Sequence, residues 1–98
     1  MDKERWRRLS LGEQIGHVTS EIARARGWEE RRDVLSRNQA LERALELIDL
    51  TLCCTNGLRR RELARFREVL CDCFVRSGLY QISLLELERY GLSFIRMA

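Results

Sequence analysis

Between Ser36 and Asn56 the chain reads SRNQALERALELIDLTLCCTN, and this stretch decides the fold class. Leu41, Ala44, Leu45, Ile48 and Leu52 recur at the three- and four-residue steps that place side chains on one face of an α-helix. Glu42, Arg43, Glu46 and Asp49 fall between them, so the same turns carry an apolar stripe and a solvated flank. Ser36 and Gln39 stand at capping-box spacing, which predicts a helix starting after Ser36 and ending near Cys54. Thr55-Asn56-Gly57 then supplies a tight connection, because Asn and Gly tolerate positive φ.

The same period extends in both directions. Upstream, Ser10 and Glu13 form an S-x-x-E capping box ahead of the stripe Leu11, Ile15, Val18, Ile22, Ala25, which predicts a helix from Leu11 to about Arg32. Downstream, a helix starting around Leu58 turns Leu63, Phe66, Leu70 and Cys73 or Phe74 inward and stops at Gly78. Ser83 and Glu86 give a further capping box, with Ile82 and Leu87 at the positions of a hydrophobic staple and Leu84, Leu87, Phe94 and Ile95 facing inward. The chain contains no proline to break these segments. Short connections between helices of similar length favour antiparallel neighbours, so the expected architecture is all-α: an antiparallel up-down-up-down four-helix bundle. With 98 residues and no internal repeat or linker, residues 1–98 are expected to form one domain.

The composition, 45% hydrophobic and 34% charged, fits a globular protein with a well-solvated surface and argues against disorder. No apolar run approaches the roughly 20 residues of a membrane span, and MDKERWRRLS lacks the apolar core of a signal peptide. The expectation is a soluble, cytoplasmic, prokaryotic protein with no membrane partner. All of the 18 basic residues except Lys3 are arginine, clustered at Arg5, Arg7 and Arg8 and at Arg59, Arg60 and Arg61. Arginine forks suit phosphate, which makes these six candidates for nucleic-acid contact. A GC-rich genome also supplies arginine through codon usage alone, so the charge by itself does not decide between the two. Arg65 with Glu68 and Asp72 with Arg76 pair off at helical spacing on the outer face of the third segment, and neutralise much of it.

Chemistry-bearing constellations are sparse. Cys53-Cys54 and Cys71-x-Cys73 resemble metal-ligand fragments, yet at about 100° per residue Cys71 and Cys73 diverge by roughly 200° and cannot chelate one ion. Reduced thiols, with Cys73 as a small core residue, are expected; no metal and no cofactor follows. His17, the single histidine, lies off the apolar stripe without a catalytic partner, so no enzyme and no small-molecule substrate is expected. Glu42, Glu46 and Asp49 flank the second helix where Arg60 and Arg67 of the third meet them as ion pairs.

The feature that most invites a functional reading is a face of small residues on the first helix: Gly12, Gly16, Ser20, Ala23 and Gly27. Each glycine inside a helix costs about 1 kcal/mol relative to alanine, so three on one side imply a close neighbour there. That neighbour is either another helix of the same bundle or a second subunit. Leu50 and Trp28, both off their helices' stripes, add apolar surface for an interface. The leading expectation is therefore an interaction module that self-associates or docks a protein partner, with nucleic-acid binding as the alternative.

Arg5-Trp6, Leu9-Ser10-Leu11, Glu13-Gln14, Gly16 and Ser20-Glu21, together with the run Ala40 to Thr51 and Arg67 to Asp72, resemble a family of small uncharacterised prokaryotic proteins. The resemblance spans most of the chain and carries over no activity. In size and architecture the chain is also similar to the four-helix-bundle proteins of ribosomal RNA intervening sequences and to the accessory bundles of diversity-generating retroelements. That second resemblance implies an oligomeric, basic bundle helping to bind RNA or a reverse transcriptase. The chain departs from it in being only mildly basic, at +3, and in carrying His17 where asparagine is expected.

Overall fold

Asp2, Ser10, Asp33 and Ser83 each stand just ahead of a helix and cap it. A computed structural model describes residues 2–75 and 82–97. These form α1 (Lys3–Arg7), α2 (Leu11–Glu30), α3 (Val34–Cys53), α4 (Gly57–Val75) and α5 (Leu84–Met97), with no strand among the described residues. The all-α class holds, and the four predicted helices are α2 to α5. Ser10 accepts from the Glu13 N–H while Glu13 accepts from the Ser10 N–H, and the Ser83–Glu86 pair repeats the arrangement.

Two boundaries differ from the sequence expectation. The additional helix α1 was not foreseen because five residues are too few to show a period; Asp2 caps it through the Glu4 N–H at 3.1 Å. The start of α3 is set by Asp33 rather than Ser36: the Asp33 carboxylate accepts from both the backbone N–H and the hydroxyl of Ser36. The corner before it closes as a Schellman motif, with Arg32 N–H donating to the Glu29 carbonyl and Asp33 N–H to that of Trp28. Arg32 takes the left-handed φ of 59° that the motif demands at this position. Between α3 and α4, Gly57 takes φ +68°, as its place in the predicted turn requires. The stop foreseen at Gly78 lies outside the described residues.

Packing follows the stripes. Ile15, Val18, Ile22 and Ala25 of α2 meet Ala40, Leu41, Ala44 and Ile48 of α3, Leu63, Phe66, Leu70 and Cys73 of α4, and Leu84, Leu87 and Phe94 of α5 in one buried cluster. Leu11, Leu45, Leu52, Phe74, Ile82 and Ile95 are half-buried around it. Asp72, expected on the outer face of α4, is instead buried. At Gly91 of α5 two helices cross closely. A Cβ there would collide with Thr19 Oγ1 and stand 3.3 Å from Thr19 Cγ2 and 3.4 Å from Phe66 Cζ. Thr19 cannot swing aside freely, because it is β-branched and its hydroxyl donates to the Ile15 carbonyl at 2.8 Å. Gly91 continues the Leu84, Leu87, Phe94 stripe, so α5 meets α2 where its side chain is missing.

Two outcomes follow. Gly91→Ala is expected to lower unfolding free energy by about 1–3 kcal/mol, the usual cost of overpacking, despite alanine's better helix propensity; urea denaturation reads it. Hydrogen bonds from Ser10 and from Ser36 hold the Glu13 and Asp33 carboxyls below their ordinary values of 4.5 and 3.8. A carboxyl depressed in the fold stabilises it above its ordinary value and loses that contribution as pH falls through the lowered one. The melting temperature is therefore expected to drop as pH is taken below about 4.5. Ser10→Ala is expected to cost about 1 kcal/mol near neutrality and to make that acid descent shallower.

Candidate functional site

Of the two surfaces named by the sequence, the arginine surface is positioned by polar contacts between helices. The first belongs to α1, whose one aromatic residue is its anchor. Trp6 is fully buried, and its indole N–H donates to Thr51 Oγ1 of α3 at 3.1 Å. The Thr51 hydroxyl donates in turn to the Leu47 carbonyl at 2.9 Å, while the Gln14 amide of α2 donates to the Trp6 carbonyl at 2.8 Å. Thr51 and Gln14 are themselves buried, so this is a satisfied network rather than a surface contact. The His17 ring lies 5.6 Å from the indole.

With Trp6 turned inward, Arg5, Arg7 and Arg8 are left exposed around it. Arg59, Arg60 and Arg61, also exposed, occupy the first turns of α4. Arg60 donates through Nη1 to the carbonyl of Leu52, the residue following Thr51. Two arginine clusters half the chain apart are thus fastened to adjacent residues at the C-terminal end of α3. No ion pair among the described residues engages Arg5, Arg7, Arg8 or Arg61.

The second surface is the small face of α2. At its N-terminal end Gly12 is half-buried, and a Cβ there would lie 3.9 Å from Ile95 Cγ2 of α5. Gly16 and Gly27 have no described atom within 4 Å of an added Cβ. Ser20 is exposed and turns its hydroxyl to the Gly16 carbonyl at 2.9 Å; Ala23 is half-buried. Beyond Gly12, no other helix among the described residues takes up this face at its glycines. The close approach that glycine permits occurs at Gly91, on a different helix. Trp28 is half-buried, with the Arg31 guanidinium 5.2 Å from its ring centroid, and Leu50 is half-buried as well.

The remaining candidates are placed as follows. Cys53 and Cys54 are exposed, Cys71 is half-buried and receives Arg67 Nη1 at 3.5 Å, and Cys73 is buried beside the Ile82 carbonyl at 3.2 Å. Burial raises the Cys73 thiol above its ordinary value. No group of three or more His, Cys, Asp or Glu among the described residues is arranged to hold a metal ion. Of the expected interhelical pairs, Arg67 meets Asp49 at 2.6 Å, which raises the Arg67 pKa, whereas Arg60 is committed to the Leu52 carbonyl. Arg76 lies outside the described residues.

Sequence reading missed three groups. Arg37, four residues before Leu41 and so on the α3 stripe, is buried; it donates to Glu29 at 2.7 Å, to Asn38 at 2.9 Å and to the Cys73 carbonyl at 2.7 Å. Thr51 and Gln14 also sit on apolar stripes, and a polar side chain at a core position was the available signal. The third is a groove of about 340 Å³ between α4 and α5, lined by Phe66, Val69, Leu87 and Tyr90 with Arg65 and Glu86 at its rim. No helix among the described residues is long and apolar enough to cross a membrane. No family model matches the chain, and neither a curated protein nor a solved structure is detectably similar to it.

Proposed function

We propose that the chain is an up-down-up-down antiparallel bundle of α2 to α5 that acts as a non-enzymatic, cytoplasmic interaction module, associating with a second copy of itself through the outer face of α2. The topology rests on cross-contacts at both ends. Gly12 near the start of α2 faces Ile95 near the end of α5, Arg60 at the start of α4 holds the end of α3, and Arg37 joins the ends of α2 and α4. Association rather than catalysis is supported by the work the buried polar groups already do. Thr51, Gln14, Arg37 and Glu21 each make a hydrogen bond that fastens one helix to another.

One observation carries the proposal: Gly16 and Gly27 lie inside a helix with open space where a side chain would be. Each costs about 1 kcal/mol of helix stability relative to alanine, and no contact at that position among the described residues recovers it. A second backbone packed across the face recovers it. A contact with nucleic acid through Arg5, Arg7, Arg8, Arg59, Arg60 and Arg61 is the second reading, supported by the fastening of both clusters to the C-terminal end of α3.

Gly16→Ala and Gly27→Ala are each expected to raise the stability of the dilute, monomeric chain by about 0.5–1 kcal/mol. Gly16→Arg, by contrast, is expected to keep the helical circular-dichroism spectrum while shifting the light-scattering mass from an oligomer to a monomer. A wild-type chain that stays monomeric at every concentration removes self-association. A monomer that instead acquires a defined mass on adding a purified partner protein leaves the face as a docking surface for that partner.

A further inference from the structure

The outcome of folding at the C-terminal end of α3 is a charge distribution that the sequence order conceals. Residues 2–8 and 57–62 hold seven basic side chains against Asp2, Glu4 and Glu62, an excess of four. The whole chain is only +3, so the rest of the molecule is close to neutral. Both segments are fastened to the C-terminal end of α3, Trp6 to Thr51 and Arg60 to Leu52.

Resting on the nucleic-acid reading, we infer that α1 and the first turns of α4 form one composite surface for the phosphate backbone of a nucleic-acid duplex, and that the Trp6–Thr51–Gln14 network is the device that assembles it. The arginines are the contacts; Trp6, Thr51 and Gln14 are positioning residues, buried and out of reach of a ligand. Guanidinium forks match phosphate oxygens, and Arg60 spends one N–H on Leu52 while keeping the rest of its five donors for a second acceptor. Trp6 is fully buried and offers no stacking platform, so the arginines and not the indole make the contact; the His17 ring beside it is exposed. The same burial argues against a membrane surface: lipid-bound helices turn their aromatic and aliphatic residues outward, whereas α1 turns its tryptophan in. Leu58, exposed beside Arg59, is a single side chain and not an apolar stripe.

Neutralising phosphates releases counterions, so the logarithm of affinity falls with the logarithm of salt by about 0.9 per phosphate contacted. The experiment is fluorescence anisotropy of the full chain with a labelled mixed-sequence RNA duplex and its DNA counterpart across a potassium chloride series. Replacing Arg5, Arg7 and Arg8 by glutamine is expected to flatten the slope by about 2–3, and replacing Arg59, Arg60 and Arg61 is expected to do the same. Trp6→Phe keeps every charge and removes the indole donor; it is expected to weaken binding as much as the first triple variant. Thr51→Val, which keeps the shape and removes the acceptor, is expected to match it and guards against loss of fold in the tryptophan variant.

Similar affinities for RNA and DNA mark contact with phosphate alone. A preference for one, with both triple variants still flattening the slope, supports the same surface with groove shape added. If only one arginine cluster changes the slope, or if Trp6→Phe and Thr51→Val both bind like the wild type, the composite surface is overturned while nucleic-acid binding stands. If the wild type binds neither duplex, or binds phosphatidylserine-containing vesicles in preference, the nucleic-acid reading itself is overturned.

Discussion

The guanidinium of Arg37, taken almost wholly out of water, fixes the geometry of one end of the bundle. A buried cation is tolerated only where its donors are met, and breaking such a site by removing a partner is far costlier than never having formed it. Arg37 meets this demand with groups from three helices: the Glu29 carboxylate of α2, the Asn38 amide beside it on α3, and the Cys73 carbonyl of α4. The ends of α2 and α4 and the start of α3 are therefore held at one point. At the other end the Trp6 indole, Thr51 hydroxyl and Gln14 amide perform the same service for α1, α2 and α3. Between these two polar fastenings the core is apolar and without direction of its own, so the locks supply the register that hydrophobic burial leaves loose.

The central helix, α2, illustrates how one segment serves two surroundings. Its inner stripe, Ile15 to Ala25, is fully buried. Thr19, just beside that stripe, accepts the backbone of α5 at Gly91. Its outer face, by contrast, keeps Gly16 and Gly27 without a neighbour in the described chain. Glycine thus appears in two roles: at Gly91 its missing side chain is filled by Thr19, and on α2 it stays empty. The proposed association face is the surface where local helix stability is sacrificed without a return among the described residues.

The arginines show how folding redistributes a modest charge. In the sequence they stand as two candidate clusters half the chain apart, but α1 and α4 are fastened to neighbouring residues of α3, and their excess charge is gathered at one end. The α1 fastening uses the neutral Trp6, Thr51 and Gln14 and leaves Arg5, Arg7 and Arg8 outward, whereas α4 is held by Arg60 itself. A nucleic-acid reading of this end and an association reading of α2 use different faces, and the two do not exclude each other.

The four long helices and their faces were legible in the sequence, because a 3.6-residue period is written locally: the stripes of α2, α3, α4 and α5 and the capping boxes at Ser10 and Ser83 stand as the sequence implies, while the five-residue α1 was too short to show one. Asp33 in place of Ser36 shows the limit of that locality, since both residues are competent caps and the corner geometry at Arg32 chooses between them. The candidate surfaces were legible as lists of residues. Which of them touch, and which stay open, was not. Trp6 and Thr51 are 45 positions apart. Gly91 and Gly16 look alike in a string, and one is crossed by a helix while the other is bare. Composition and periodicity determine which side of each helix avoids water, a property of neighbouring residues; the tertiary structure decides which helix arrives there, because that depends on burying several stripes and satisfying a few polar groups at once.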